Sequence, residues 1–111
     1  FARNERAVCL FDSDAGPMAM ILVGAMIVAG IETPWAGQVA PANHGASTND
    51  YQHQQPAIQI GKGEEMGRFK LGSTVIVLVG PGAVRWQETV QENSAVRMGE
   101  ALGTITEPVI Y

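Results

Sequence analysis

The stretch GRFKLGSTVIVLV, residues 67–79, gives the clearest indication of the fold. Its second half, STVIVLV at 73–79, has a β-branched residue at four of its first five positions, which favours a β-strand. The GPG sequence at 80–82 ends that strand with a turn. We therefore predict a strand at 73–79 that begins at Ser73, directly after Gly72.

The segments before this stretch also predict short strands. One is expected at 6–13 (RAVCLFDS), and the apolar run at 17–31 predicts one or two buried strands. That run is shorter than the roughly 20 residues of a transmembrane helix and is interrupted by glycine. Residues 32–56 predict a long polar loop with a short strand at Gly37–Ala40.

The remaining segments complete a mostly β pattern. Short strands are predicted at 57–60 and 67–70, and another strand or two at 83–105 around a turn at 92–94. A short helix at 87–96 is an alternative for part of that last segment. We predict one mostly β domain of sandwich or barrel-sandwich character, built from short strands and glycine turns.

Charge and cysteine content exclude several classes of protein. The net charge of −4 comes without a basic stripe, which argues against a nucleic-acid partner and against a polybasic membrane patch. Cys9 is the only cysteine, so no internal disulfide forms and a reducing compartment is expected. We interpret Cys9 as a buried, inert thiol because no histidine or asparagine partner is evident.

The usual catalytic and ligand patterns are missing outside residues 67–79. His44 and His53 lie in the polar loop without a cysteine or carboxylate at ligand spacing, so no metal site is predicted. Glu64 and Glu65 are adjacent and would point to opposite faces of a strand, which does not suit an acid–base pair. The glycine-rich turns lack the lysine and helix of a phosphate loop.

The Gly72–Ser73 pair is the one place where the sequence permits unusual chemistry. A serine before a strand is ordinarily a turn residue, and the local pattern favours that interpretation. Gly72 has no Cβ, which leaves its carbonyl open to attack and tolerates strained backbone angles. The Ser73 hydroxyl follows that carbonyl directly, although a serine needs a nearby base to become an effective nucleophile.

Two longer runs resemble one enzyme family. NERAVCLFDSDAGPMAMILVGAMIVAGIETPWAG at 4–37 and KGEEMGRFKLGSTVIVLV at 62–79 are similar to the C-terminal portion of bacterial and mitochondrial phosphatidylserine decarboxylases. The resemblance covers residues 1 to about 103, and its most specific element is KGEEMGRFKLGST at 62–74. Lys70 and Thr74 match this motif without an assigned role.

The resemblance implies a zymogen that cleaves itself autocatalytically. The Ser73 hydroxyl would attack the Gly72 carbonyl to form an ester, and β-elimination would divide the chain into a β chain, 1–72, and an α chain, 73–111. The dehydroalanine left at position 73 would hydrolyse to a covalent pyruvoyl group with loss of ammonia. This cofactor would form a Schiff base with phosphatidylserine and accept the electrons released with carbon dioxide, giving phosphatidylethanolamine.

The resemblance also implies partners and a location. The α and β chains of one precursor would stay partners, and a homo-oligomer is left open. The enzyme would act in phospholipid biosynthesis as a peripheral protein on the cytoplasmic side of the cell membrane.

The sequence departs from the family pattern in one respect. In the family the serine works with an aspartate and with a histidine in an HMP motif, which is absent here, and neither His44 nor His53 has a matching context. We expect this pair to lie upstream of Phe1. Removing the partners of a catalytic serine costs orders of magnitude in rate, so we expect the fragment alone to be inactive.

Two other function classes stay open. A non-enzymatic carrier or adaptor of the lipoyl or biotinyl type would need a lysine at a hairpin tip, and Lys62 is the only candidate, without the expected flanking residues. A pyruvoyl decarboxylase of a soluble amino acid would keep Gly72 and Ser73 but should lose the KGEEMGRFK block, which is present at 62–70.

Overall fold

A computed structural model describes residues 5–24, 30–40, 48–51, 57–69 and 74–106. Across these residues the chain forms strands and no helix, so the prediction of a mostly β fold with glycine turns is confirmed. The sandwich-like stacking of the sheets stays a prediction. The strands are β1 (Arg6–Ser13), β2 (Gly16–Val23), β3 (Ile31–Thr33), β4 (Gly37–Ala40), β5 (Arg68–Phe69), β6 (Thr74–Val79), β7 (Val84–Trp86) and β8 (Gly103–Ile105).

The strands of the described residues form three small sheets. One has the order β1-β2-β6, a second has the order β4-β3-β5, and β7 pairs with β8 alone. In the second sheet β3 is antiparallel to both neighbours, and a register shift interrupts the β3–β4 ladder between Ile31 and Glu32. The predicted strands at 6–13 and 37–40 are confirmed, and the apolar run at 17–31 contributes to two strands. The strand predicted at 73–79 is observed at Thr74–Val79, and residue 73 lies outside the described residues.

Two compact units divide the chain. The first consists of residues Phe1–Val8 and Ile21–Ile76, and the second of Cys9–Met20 and Val77–Tyr111. The prediction of one catalytic domain with portions 1–72 and 73–111 stays a prediction.

The core of the first unit comes mainly from the apolar run that was predicted to be buried. Leu22 is 3% exposed and Ile31 is fully buried, and together they form a hydrophobic cluster. Half-buried apolar side chains from four other places in the sequence pack against this cluster: Ala7, Val39, Met66 and Phe69. In the second unit Ala15 and Ala19 are buried.

The turn between β1 and β2 is held by a serine. The Ser13 hydroxyl donates a hydrogen bond to the Gly16 carbonyl at 2.7 Å and accepts one from the Ala15 amide at 3.2 Å. Gly16 has a φ of 90°, a left-handed conformation that glycine adopts without a steric penalty. Local side-chain hydrogen bonds and a glycine thus explain why β1 ends at Ser13 and the chain reverses.

The predicted turn near residues 92–94 is confirmed. The Ser94 amide donates to the Gln91 carbonyl at 2.9 Å, and the Gln91 amide donates to the Ser94 hydroxyl at 3.1 Å. Asn93 has a φ of 65°, which asparagine tolerates better than most residues. The alternative of a helix at 87–96 is wrong, because these residues form consecutive turns.

Two other predictions differ from the structure. The strand predicted at 57–60 is wrong: Ile58 and Ile60 are half-buried, but none of the described strands pairs with this segment. Side-chain alternation alone does not make a strand, because the backbone groups also need a neighbouring strand as partner. The strand predicted at 67–70 is observed only at Arg68–Phe69.

Candidate functional site

The two predicted reactive residues, Gly72 and Ser73, lie outside the described residues, as do Lys70, His44 and His53. Their assigned roles therefore stay predictions. The structure describes the chain up to Phe69 and again from Thr74, and so defines what precedes and follows the four residues 70–73.

The chain before residue 70 is fixed to a buried strand. Strand β5 pairs with β3, so that Phe69 lies opposite Ile31 and Arg68 lies opposite Glu32. The Phe69 side chain also packs against the cluster of Leu22 and Ile31. Both the backbone and the side chain of Phe69 therefore contact the core of the first unit, which fixes the position of the last described residue before the candidate site.

Gly67 permits this close packing. A Cβ at position 67 would lie 2.6 Å from Leu22 Cδ1 and 3.2 Å from the Glu32 carbonyl oxygen. Leu22 is buried, and Glu32 is in the central strand of its sheet, so neither neighbour moves freely. Glycine at this position thus permits the close approach of one backbone to another, a role that sequence reasoning missed because the neighbours are distant in the chain.

A buried hydroxyl lies beside this glycine. Thr33 is 5% exposed, and its Oγ1 has no hydrogen-bond partner within the described part of the chain. The Thr33 Cγ2 methyl would lie 3.9 Å from a Cβ at position 67, so the methyl side of Thr33 forms part of the packing around Gly67. A buried hydroxyl without a hydrogen-bond partner costs free energy of folding, so the Thr33 hydroxyl lowers the stability of the folded protein.

An ion pair accompanies β5 on the protein surface. The Arg68 guanidinium donates a hydrogen bond to Glu65 Oε2 at 2.8 Å. That hydrogen bond and the charge of Glu65 raise the pKa of Arg68 above its ordinary value, and Glu32, its partner across the ladder, adds to the effect. Both side chains of the pair are more than half exposed, so water screens the attraction and its contribution to stability is small.

The chain after residue 73 enters a second strand at once. Strand β6 begins at Thr74 and lies beside β2 in the order β1-β2-β6. Thr74 and Ile76 are half-buried and Val75 is exposed, as expected for a strand with one covered face. The four residues 70–73 therefore join a strand of one sheet to a strand of another.

The other candidate residues lie in surroundings that do not suit a catalytic or metal-binding role. Burial raises the pKa of the Cys9 thiol, which keeps it protonated and a poor nucleophile. Glu64 and Glu65 are exposed, as expected for solvated carboxylates. Among the residues with described positions, no group of three or more histidine, cysteine, aspartate or glutamate side chains is suited to hold a metal ion.

Lys62 does not occupy the position that a carrier domain requires. It lies in a turn closed by a hydrogen bond from the Glu64 amide to the Gly61 carbonyl at 3.1 Å. The residues flanking this turn, 57–60 and 64–67, are not strands, so Lys62 is not at the tip of a β-hairpin. This geometry argues against the lipoyl or biotinyl alternative.

The described part of the chain contains no helix with the length and apolarity that crossing a membrane requires.

Comparison with known proteins gives a family match over most of the chain. The family model described as "Phosphatidylserine decarboxylase" matches residues 1–104. The phosphatidylserine decarboxylase proenzyme of Pseudomonas putida (strain GB-1) is 59% identical over 110 residues, which cover 98% of this chain and 37% of the relative. The proenzyme of Stutzerimonas stutzeri (strain A1501) is 62% identical over 104 residues, covering 93% of this chain and 35% of the relative.

A third relative gives the same result. The proenzyme of Marinobacter nauticus is 55% identical over 105 residues, covering 95% of this chain and 36% of the relative. The chain thus spans a little over one third of the length of these curated relatives. No solved structure matches the chain significantly.

Proposed function

Because the chain belongs to the phosphatidylserine decarboxylase family, we propose that it forms the self-cleaving part of a proenzyme that converts phosphatidylserine to phosphatidylethanolamine. The observation that carries the proposal is the family match over residues 1–104, which includes the LGST sequence at 71–74. The relatives are named as proenzymes, which supports a precursor that must be processed before it acts.

The proposed processing step is an intramolecular acyl transfer. The Ser73 oxygen attacks the Gly72 carbonyl carbon, the bond from that carbon to the Ser73 nitrogen breaks, and an ester takes its place. Loss of the Ser73 α proton then expels the Gly72 carboxylate by β-elimination. The products are a chain ending in Gly72 and a chain beginning with dehydroalanine, whose imine tautomer takes up water and releases ammonia to leave a pyruvoyl group.

The surroundings of residues 70–73 support this reaction. Strand β5 holds Phe69 through Ile31, and strand β6 starts at Thr74, so both flanks of the scissile bond are attached to sheets. We propose that attachment of both flanks limits the freedom of the two reacting groups. Less entropy is then lost when the hydroxyl meets the carbonyl, which is the usual advantage of an oriented intramolecular reaction.

The chemistry of the pair fits the proposed cofactor. Residue 73 supplies all three carbons of a pyruvoyl group, and its α nitrogen is the atom that leaves. When formed, the pyruvoyl group supplies a ketone carbonyl that accepts the substrate amine and the electrons released with carbon dioxide. The base that activates Ser73 is proposed to come from the part of the proenzyme that this chain does not span, because a serine hydroxyl without a base is a weak nucleophile.

The substrate determines the proposed location and partners. A phospholipid substrate requires access to a membrane surface, so we place the enzyme peripherally on the cytoplasmic side of the cell membrane. The two chains produced by cleavage are proposed to remain partners, and a homo-oligomer is left open. The alternative of a soluble amino acid as substrate has less support because the relatives carry the name of the phospholipid enzyme.

A hybrid proenzyme tests the proposal. The matching 110 residues of the Pseudomonas putida relative are replaced by this chain, and the purified product is examined by denaturing gel and by a decarboxylation assay with phosphatidylserine and with free serine. We expect cleavage and release of carbon dioxide from the lipid only. Ser73→Ala should abolish both, whereas Ser94→Ala, which removes a turn serine, should cleave like the unaltered hybrid. An uncleaved hybrid, or a cleaved Ser73→Ala variant, would contradict the proposal.

A further inference from the structure

Strand β1 (Arg6–Ser13) lies at an edge of its sheet. The sheet has the order β1-β2-β6, and none of the other described strands pairs with the free side of β1. Natural proteins usually protect such an edge by keeping it short, by a proline or by charged side chains. β1 is eight residues long, contains no proline and carries its charges only at positions 6 and 12, so its centre is open to another strand.

One face of β1 combines apolar and charged side chains. Arg6, Val8, Leu10 and Asp12 are exposed, whereas the residues between them are half-buried. Val8 is 58% exposed and Leu10 is 79% exposed. We call these four side chains the edge face. Large apolar side chains beside an open sheet edge favour pairing with a further strand.

The backbone at the centre of β1 also points to the open side. The Glu5 carbonyl accepts a hydrogen bond from the Gly24 amide at 2.8 Å, so the peptide groups of residue 5 are directed toward β2. β1 and β2 are both eight residues long, so no inserted residue disturbs the alternation along β1. Because the hydrogen-bonding groups alternate between the two sides of a strand, those of Val8 and Leu10 are directed away from β2.

The edge face is complementary to itself. If two copies of β1 pair antiparallel about a twofold axis at Cys9, Val8 of one copy lies opposite Leu10 of the other. Arg6 then lies opposite Asp12 of the second copy, and by symmetry each of these contacts occurs twice. This register makes residues 8 and 10 a hydrogen-bonded pair, in agreement with the direction of their peptide groups.

The neighbouring registers fit less well. A shift of two residues that centres the pairing on Val8 places Arg6 opposite the apolar Leu10. A shift that centres it on Leu10 places Asp12 opposite the apolar Val8. Only the register centred on Cys9 brings unlike charges together at both ends and apolar side chains together between them, which is the arrangement that stabilises cross-strand pairs.

We propose that the edge face of β1 pairs with β1 of a second copy of this chain, in an antiparallel ladder centred on Cys9. The three strands of each copy then form one continuous sheet. This inference goes beyond the proposed function and does not depend on it, because the pairing requires no cleavage at residue 73. The Ser73→Ala hybrid proenzyme should therefore associate like the unaltered one.

A charge swap tests the pairing in the full-length hybrid proenzyme. Residues 6 and 12 of one strand are about 20 Å apart, so they cannot contact each other within one copy. Arg6→Glu or Asp12→Lys alone should raise the dissociation constant of the dimer by about two- to thirtyfold, because each places like charges opposite one another twice. The double variant should restore the association of the unaltered protein. Sedimentation velocity over a range of protein concentrations measures the dissociation constants.

A disulfide cross-link tests the register. In the proposed ladder the two Cys9 residues form a non-hydrogen-bonded pair with Cα atoms about 4.5 Å apart, which a disulfide can join. Copper–phenanthroline in air should oxidise the two thiols to a disulfide, and peptide mass mapping should find Cys9 linked to Cys9. The control is Cys9→Ser combined with Leu78→Cys, which places a cysteine on β6 at a position that is 53% exposed. That cysteine should not link to its copy, although random collisions would reach it readily.

Each contrary result would overturn the proposal. A hybrid that stays monomeric at all concentrations would show that no second copy binds, as expected if another part of the proenzyme covers β1. Dimerisation that both single charge variants leave unchanged would place the interface elsewhere. A double variant as weak as the single ones, or Leu78→Cys that links as efficiently as Cys9, would refute the register centred on Cys9.

Discussion

Replacing Gly67 with alanine tests the packing that holds the candidate cleavage segment. The added methyl group would lie 2.6 Å from Leu22 Cδ1, about 1 Å closer than the optimal separation of two carbon atoms. It would also lie 3.2 Å from the Glu32 carbonyl oxygen, an atom of the central strand β3. Leu22 is 3% exposed, so its side chain has little free space into which it can turn.

The structure sets the expected magnitude. Overpacking of this kind costs about 1–3 kcal/mol, because side chains leave their preferred rotamers or strands separate slightly. We expect Gly67→Ala to lower the free energy of unfolding by that amount in urea denaturation of the hybrid proenzyme. Because β5 leads directly into residues 70–73, we also expect slower self-cleavage.

Gly80→Ala is the matched control. A Cβ at position 80 meets nothing within 4 Å, and its φ lies outside the left-handed region that makes side chains strained. The same chemical change there should be neutral, or stabilising by about 0.4–1 kcal/mol through the unfolded state. If Gly67→Ala proved as stable as Gly80→Ala, close backbone packing at residue 67 would be refuted.

Three further predictions concern other parts of the described structure. Gly103→Ala should cost about 1–3 kcal/mol in the same urea assay, because its Cβ would lie 2.8 Å from the Arg85 carbonyl oxygen; an unchanged midpoint would contradict the geometry of the β7–β8 pair. Thr33→Val should stabilise the protein by about 1 kcal/mol, because valine keeps the shape and removes the unpartnered hydroxyl; a loss of stability would show that the hydroxyl has a partner. Burial raises the pKa of Cys9 above its ordinary 9.0, so the folded state holds the thiol proton more tightly than the unfolded state does. The contribution of Cys9 to the free energy of unfolding should therefore fall as the pH rises above about 9. Cys9→Ala should remove this pH dependence.

Part of the fold was predictable because its signals are local. The β-branched run of β6 and the turn residues around Asn93 each specify their structure within a few positions, and both predictions were confirmed. The strand predicted at 57–60 was wrong because a strand also depends on a partner, which a local pattern cannot show. The role of Gly67 was missed for the same reason, since it follows from Leu22 and Glu32 in a separate part of the chain.

The candidate site was predictable in a different way. Local chemistry showed only that Gly72 and Ser73 permit an acyl transfer, and it favoured a simple turn. The family match gave the pair its proposed function, and the structure added the two attached flanks, Phe69 and Thr74. The activating base could not be predicted from these residues, because the fold brings the base to the serine from a position that is often distant in sequence.

We propose that residue 73 becomes the N-terminus of a new chain and carries the cofactor. Intact mass spectrometry of the hybrid proenzyme tests it most directly. We predict a piece that begins at residue 73, is lighter by one ammonia molecule than the same peptide with an N-terminal serine, and gains mass with a carbonyl reagent such as hydroxylamine. A piece with an ordinary serine amine at residue 73, or a hybrid that remains a single chain, would contradict the proposed role of Ser73.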